Sequence, residues 1–345
     1  MAQPQQDVFH ALDQALATAV AAASPSVVHV ARGHGHAGTG IVWSDDLVIS
    51  ASFHTPDRTH VGIPTPASPD AVNGSNETQL PVLDRRPAEV IGRDPGTDIA
   101  LLRVVGGGLT PAKFRELGSL AVGNVVLALG RPGRTVRASL RAIGVLGPEV
   151  RTPHGGTLDR YIESDRQIPR GFAGGPLVDV DGAVVGMNTR TLLRGEDIAV
   201  PTATLRRVVD ELRAHGGVRR GYLGVGAFPA HLPQALAQLA KLDRGALIAS
   251  IEDGSPAATA GLIVGDIIIS LESSPSDSST PPSAARPRSG LSLGGSLESG
   301  GASIAITGPD SLRLALGDRP GATVELTVLR GGAVHTFSAV LGSRP

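Results

Sequence analysis

The stretch Arg170–Asp179, RGFAGGPLVD, sets three glycines around one small residue and then runs into an apolar strand. Glycines in this pattern let several backbone N–H groups point into one concavity, as stabilising the oxyanion of an acyl-transfer intermediate requires. The centre of the pattern is Ala173. Its methyl group has no lone pair to attack with and no proton to give up, so the nucleophile of that chemistry is missing. The nearby hydroxyls of Ser164 and Thr189 are no substitute, because attack needs near-contact alignment with both carbonyl and base. An ordinary β-turn would use the same glycines and proline, so the stretch does not decide its own role.

Two further stretches carry groups that belong with such a turn. DPGTDIALLRV, residues 94–104, places Asp98 just ahead of an apolar strand, where a carboxylate can be buried and orient an imidazole. SDDLVISASFHTPDR, residues 44–58, brings an apolar strand through small residues to His54. A strand-end aspartate and a lone histidine each have commoner structural roles, and only their conjunction with the glycine turn argues for chemistry.

The elements that must position these groups are mostly β-type. At 345 residues the chain exceeds one ordinary core and calls for two domains. Its 45 glycines, 26 prolines and few aromatics suit short strands and tight turns better than a helical bundle. Apolar residues at Val8, Leu12, Leu16, Ala17 and Val20 predict an amphipathic helix within residues 1–23. Pro64–Thr78 reads as a loop. TATLRRVVDELRAHGG puts Leu205, Val208, Val209 and Leu212 on one helical face and stops at glycine, closing a first domain over 24–212 with a linker at 213–218. A second β-rich domain follows over 219–345. A Ser/Pro/Gly tract at about 273–303 interrupts it and is expected to be disordered.

A net charge of −1 gives no electrostatic reason to expect nucleic acid or an anionic membrane as partner. Cysteine is absent, which excludes disulfides, thiolate metal sites and thiol nucleophiles. No metal site is expected: His34-Gly35-His36 with His54 and His60 lacks a suitably spaced acidic partner and reads as a solvated loop. No cofactor is expected either, since GHGHAGTG runs into a strand, whereas a phosphate cradle opens a helix. The terminus lacks a basic, densely apolar leader and no run reaches membrane-span length, so the chain as written is expected in the cytoplasm. A processed piece of an exported protein, periplasmic or otherwise extracytoplasmic, would look the same.

Taken in the order His54, Asp98, Ala173, these segments resemble the trypsin-like domain of the HtrA (DegP-like) family. Gly38–Val42, GTGIV, is similar to the family's first strand motif, and DPGTDIALLR to its aspartate motif. Ser164-Asp165 with GFAGGPL resembles the nucleophile motif, followed by a strand bearing Asn188-Thr189. The resemblance covers roughly 24–212. It implies a mainly β fold, a trypsin-like double β-barrel followed by a PDZ domain that is β-rich with two helices. It makes His54, Asp98 and Ala173 the triad positions, and Gly171, Phe172 and Ala173 the oxyanion turn.

Departures from the family pattern bear on function. Besides Ala173, an ungapped alignment puts Phe53 at the base position, and a one-residue insertion is needed to restore His54. The downstream HTPDR favours the insertion. Arg170 stands where the family has proline. In the second domain, Tyr222-Leu223-Gly224-Val225 resembles a PDZ carboxylate-binding loop, SPAATAGLIVGD the family's helix-turn element, and DSLRLAL the second PDZ helix. The resemblance implies polypeptide partners with hydrophobic C-termini or unfolded segments, and a homotrimer. Three functions follow: a silent peptidase domain kept for binding, a serine endopeptidase in which Ala173 is an engineered or local replacement, and a PDZ scaffold with a vestigial barrel.

Overall fold

The computed structural model describes residues 3–31, 37–65, 82–193, 196–273, 303–317 and 319–344. Most of the predicted loop at Pro64–Thr78, most of the predicted insertion at 273–303, and His34, Gly35 and His36 lie outside those residues. The chain divides into two units, Met1–Val218 and Arg219–Pro345.

The first unit opens with α1 (Gln3–Ala23) and then alternates short strands and turns: β1 (Val27–Ala31), β2 (Ala37–Val42), β3 (Leu47–Ala51), β4 (Arg58–Pro64), β5 (Leu83–Asp94) and β6 (Ile99–Val104). These close into a barrel in the order β1-β2-β3-β6-β5-β4. A second series comprises β7 (Val125–Gly130), β8 (Arg137–Gly147), the small hairpin β9 (Val150–Arg151) and β10 (Thr157–Leu158), β11 (Tyr161–Ser164), β12 (Pro176–Val178), β13 (Val184–Leu193) and β14 (Glu196–Pro201). All but the hairpin close a second barrel, β11-β14-β13-β12-β7-β8. The fold is therefore mainly β, a trypsin-like double barrel.

β-Branched residues fill the first barrel, with Val28, Val30, Val42, Val48 and Val61 fully buried. Val126, Ile143, Ile162 and Leu177 fill the second. A third cluster, including Ile41, Ile49, Ile99, Leu129, Met187 and Val200, joins strands of both barrels and receives the helices. From α2 (Thr202–His215) the predicted face of Leu205, Val208, Val209 and Leu212 is buried there. Each such side chain stabilises by roughly 1.5–3 kcal/mol. From α1 the buried stripe is Leu16, Ala19, Val20 and Ala23, while Leu12 and Ala17 of the predicted face are exposed. Among its described side chains, those that pack on the core lie in its last two turns. No described helix is long and apolar enough to cross a membrane.

The second unit pairs β15 (Arg220–Tyr222) with a strand at its far end. It then builds a sheet from β16 (Val225–His231), β17 (Arg244–Ile251), β18 (Ile267–Ser273), β19 (Ile304–Ala305), β20 (Thr323–Arg330) and β21 (Ala333–Val340). The closing strand is β22 (Gly342–Arg344), and the sheet order β16-β17-β18-β20-β21 leaves β16 at one edge, with β19 on β18. Among its described residues this unit has three helices: α3 (Gln234–Ala240), the single turn α4 (Pro256–Thr259) and α5 (Pro309–Leu316). The latter two correspond to the predicted helical elements. The additional α3 is explained by its sequence, QALAQLA, whose strong helix formers set Leu236, Ala237 and Ala240 against Leu232, Ile269 and Leu329.

Candidate functional site

The glycine turn lies in the connection between β11 and β12, wedged between the two barrels. A Cβ on Gly174 would lie 2.4 Å from the Thr39 carbonyl oxygen, and one on Gly175 would lie 2.3 Å from that of Leu129. Only glycine fits at either place. The turn is also tied from outside. Gly174 N–H donates to the Asn188 carbonyl (2.8 Å), and Asn188 N–H donates back to that of Gly175 (2.8 Å). The Asn188 amide reaches the Gly175 and Pro176 carbonyls at 3.1 and 2.9 Å. Phe172 turns into the second barrel's core.

Within the turn, the Phe172 carbonyl accepts from Gly175 N–H at 2.8 Å. A trans peptide then directs Ala173 N–H the opposite way, as an oxyanion hole demands. The Gly171 carbonyl accepts from the Thr39 hydroxyl at 2.6 Å, and that hydroxyl accepts Arg131 N–H at 2.8 Å. The Arg131 guanidinium is buried, which pushes its pKa down. It is nonetheless well partnered: Nε donates to the Val27 carbonyl (2.6 Å), Nη1 to that of Arg134 (2.8 Å), and Nη2 to the Ser24 hydroxyl (2.9 Å) and carbonyl (3.1 Å). Ala173 itself is half-buried and presents only a methyl group.

Asp98 is fully buried at the foot of β6, in the left-handed region at φ 57°. Among the described residues its carboxylate accepts three hydrogen bonds. Oδ1 takes Phe53 N–H at 3.0 Å, and Oδ2 takes the Thr189 and Thr191 hydroxyls at 2.6 and 3.0 Å. Its own carbonyl takes Ser52 N–H at 3.0 Å. Asp98 thus joins the turn after β3 in one barrel to β13 of the other.

That turn is a 3₁₀ helix, Ser52–His54. Arg93 clasps it, donating to the Ser52 and Thr55 carbonyls at 3.0 and 2.5 Å and pairing with Asp57 at 2.9 Å. The backbone of His54 belongs to the turn, but its side chain lies outside the described residues. Phe53, whose N–H meets Asp98, is 39% exposed and packs its ring on His154 at 5.2 Å between centroids. His154 comes from the β9–β10 hairpin, which docks through the Thr152 hydroxyl on the Gly96 carbonyl (2.6 Å).

Of the other sequence candidates, Ser164 accepts from Arg141 (3.0 Å) and is thereby fixed to the segment leading into the turn. Arg170 is exposed. His60 lines a surface cavity of about 450 Å³ with Arg58, Glu89 and Arg103. Among the described residues no three metal-ligating side chains cluster. Sequence reasoning missed Thr39, Arg93, Arg131, His154 and Thr191. Only Thr191 carried a signal, since two residues past Thr189 a strand presents the same face.

In the second unit, Tyr222, Leu223, Gly224 and Val225 form the turn from β15 into β16. The Leu223 carbonyl accepts Ala257 N–H at 2.9 Å and the Gly224 carbonyl accepts Glu252 N–H at 3.0 Å. The Tyr222 hydroxyl donates to the Glu252 carboxylate. α5 lays Leu312, Ala315 and Leu316 into the same apolar cluster as Leu223. A pair of the buried Asp266 with the half-buried Arg330 (2.7 Å) braces β20 against the turn before β18. Burial pushes the Asp266 carboxyl up, but its bonds to Arg330 and Ile263 N–H outweigh this and hold it below the usual range.

Residues 38–187 match the family model described as trypsin-like peptidase domain. A protein named probable periplasmic serine endoprotease DegP-like, from Pseudomonas fulva (strain 12-X), is 31% identical over 268 residues, covering 75% of this chain and 48% of its own length. Its namesake from Chlamydia pneumoniae is 32% identical over 249 residues, 70% of this chain and 47% of that protein. The chain spans about half the length of the curated relatives it matches. Among solved structures, the HtrA-type protease AlgW with decapeptide superposes with a TM-score of 0.59 at 22% identity, over 96% of this chain and 99% of that one. A serine endoprotease from Yersinia pestis gives 0.57 at 21%, over 96% and 98%. At these identities the two structures speak for the fold.

Proposed function

This chain belongs to the HtrA (DegP-like) family of trypsin-like serine proteases, and on that premise we propose that it is a catalytically silent member that binds polypeptide segments. The observation that carries the reading is Ala173. A turn built for acyl-transfer chemistry holds a methyl group at its centre, and removing one member of a triad leaves only weak residual acceleration. On this reading His54, Asp98 and Ala173 are the former triad positions, and Gly171, Phe172 and Ala173 a turn still able to hold a peptide carbonyl. The second unit is read as a PDZ domain, with Tyr222–Val225 receiving the terminal carboxylate of a hydrophobic C-terminus. The partners are then unfolded segments and C-terminal tails. By resemblance the assembly is a trimer, and the compartment is the extracytoplasmic one named for the relatives.

Casein digestion tests the central claim. The purified chain is expected to leave casein intact over hours. Turnover that Asp98→Ala abolishes would overturn the silent reading.

A second reading, an endopeptidase disabled at one position, is favoured by the three donors still meeting Asp98 and by the close-packed glycine turn. It predicts that Ala173→Ser alone regains proteolysis and reacts with a fluorophosphonate probe.

A further inference from the structure

We propose that the groove beside β16 takes a carboxy-terminal tail of about four residues and cannot extend its strand pairing beyond that, because of Pro229. The inference rests on the peptide-capture reading above and adds the length and register of the captured segment.

Main-chain bonds on neighbouring strands fix which groups face the open edge. Ile248 directs its N–H to the Asp266 carbonyl (2.8 Å), and its own carbonyl accepts Gly265 N–H (2.9 Å). Both its groups therefore face away from β16. Its register partner on β16 is Ala227. In an antiparallel ladder such a pair is not hydrogen-bonded across, so the N–H and C=O of Ala227 face outward. The two-residue period places Val225 and Pro229 on the same open edge, with Gly226 and Phe228 turned to β17. The bond from Glu252 N–H to the Gly224 carbonyl agrees, turning that carbonyl inward and the following Val225 N–H outward.

With the Val225 N–H given to the terminal carboxylate, the edge offers a carbonyl at Val225, donor and acceptor at Ala227, and a carbonyl alone at Pro229. A guest strand pairs fully at Ala227 and then meets a missing N–H.

The two ends of the groove agree with this limit. At its start, the Leu223 and Gly224 carbonyls are engaged behind the loop, so the trans peptides turn the N–H groups of Gly224 and Val225 the other way. Two successive outward N–H groups make a concavity for an anion, here a terminal carboxylate. Gly224 lies at φ 80°, and a Cβ there would fall 2.2 Å from that of Ser255. At the far end Pro229 approaches the start of α5, 3.8 Å from a Cβ built on Gly308. A cavity of about 300 Å³ lies there, lined by Pro229, Gly308, Pro309 and Ser311 among others. The distance from Val225 to Pro229 is roughly 13 Å of strand, the reach of four extended residues.

The test uses the full chain and two fluorescent peptides with one apolar C-terminal sequence, four and eight residues long, each as free acid and as amide. Binding is read by anisotropy. The two acids are expected to bind within about twofold of each other, and the amides at least about tenfold more weakly. In Pro229→Ala, and equally in Pro229→Ser, the restored donor should let the longer acid bind about three- to tenfold tighter than the shorter. A longer peptide that binds tenfold tighter in the unsubstituted chain overturns the length limit and leaves capture standing. Amides that bind as well as acids overturn the carboxylate end. If no peptide binds at any length, the capture reading fails and takes this inference with it.

Discussion

In the first unit the carbonyl before Ala173 turns to Gly175, and in the second the carbonyl before Gly224 turns to Ala257. Each following amide is thereby directed outward by the same main-chain device. The two turns differ in what else they need. Reaction at the first requires a hydroxyl, an imidazole and a carboxylate in near contact, all supplied by side chains. Recognition at the second requires only N–H and C=O groups along an edge. On the proposed reading one substitution removes the chemistry of the first, whereas capture at the second would be lost only if the backbone itself changed.

The largest expected effect restores what the first turn lacks. On the reading of an endopeptidase disabled at one position, Ala173→Ser should raise fluorophosphonate labelling by about a thousandfold over the parent chain, and Asp98→Asn should reverse the gain. Labelling that appears only when Phe53→His is added would assign the base position to residue 53 and sharpen the contrast, since two side chains would then have been lost.

Asp98→Ala in the parent chain tests whether the carboxylate is now a tie between the barrels. It leaves Phe53 N–H and two threonine hydroxyls without their acceptor, and should cost the first unit on the order of 4 kcal/mol. Urea unfolding would show this as an early transition, with the second unit's unchanged. Gly175→Ala, which drives a Cβ against the Leu129 carbonyl, should cost about 3 kcal/mol in the same assay. A loss of a few tenths would mean that the turn is looser than its contacts imply.

The smallest effect belongs to the second unit. The Asp266 carboxyl is held below its usual range when folded, so its contribution is full above the unfolded carboxylate pKa and is lost as pH falls through the folded one. Asp266→Asn should flatten that acid-side slope, measured by thermal melts from pH 5 down to 2.5.

Much of this frame was legible in short stretches. GFAGGPL, the strand after Asp98 and the face of Leu205, Val208, Val209 and Leu212 declare themselves through local chemistry or periodicity. Thr191 could not be placed on Asp98 in this way, because the two residues are 93 positions apart and meet only when the barrels close. Arg131 reads as a surface cation until its acceptors, the carbonyl ends of Ser24 and Val27, are brought to it by folding. The outward face of α1 misled for a related reason. Its apolar spacing continues past the point where the barrel stops, so Leu12 has the pattern of a core residue without the neighbour.

Pro229 also bears on how copies of the chain behave in solution. A bare sheet edge is a template on which an identical edge can zip up, the first step toward fibres and unwanted dimers. The missing N–H that shortens the guest at β16 would leave the same gap in a twin strand pairing there. An edge built to admit a short tail is, by that one ring, a poor seed for aggregation.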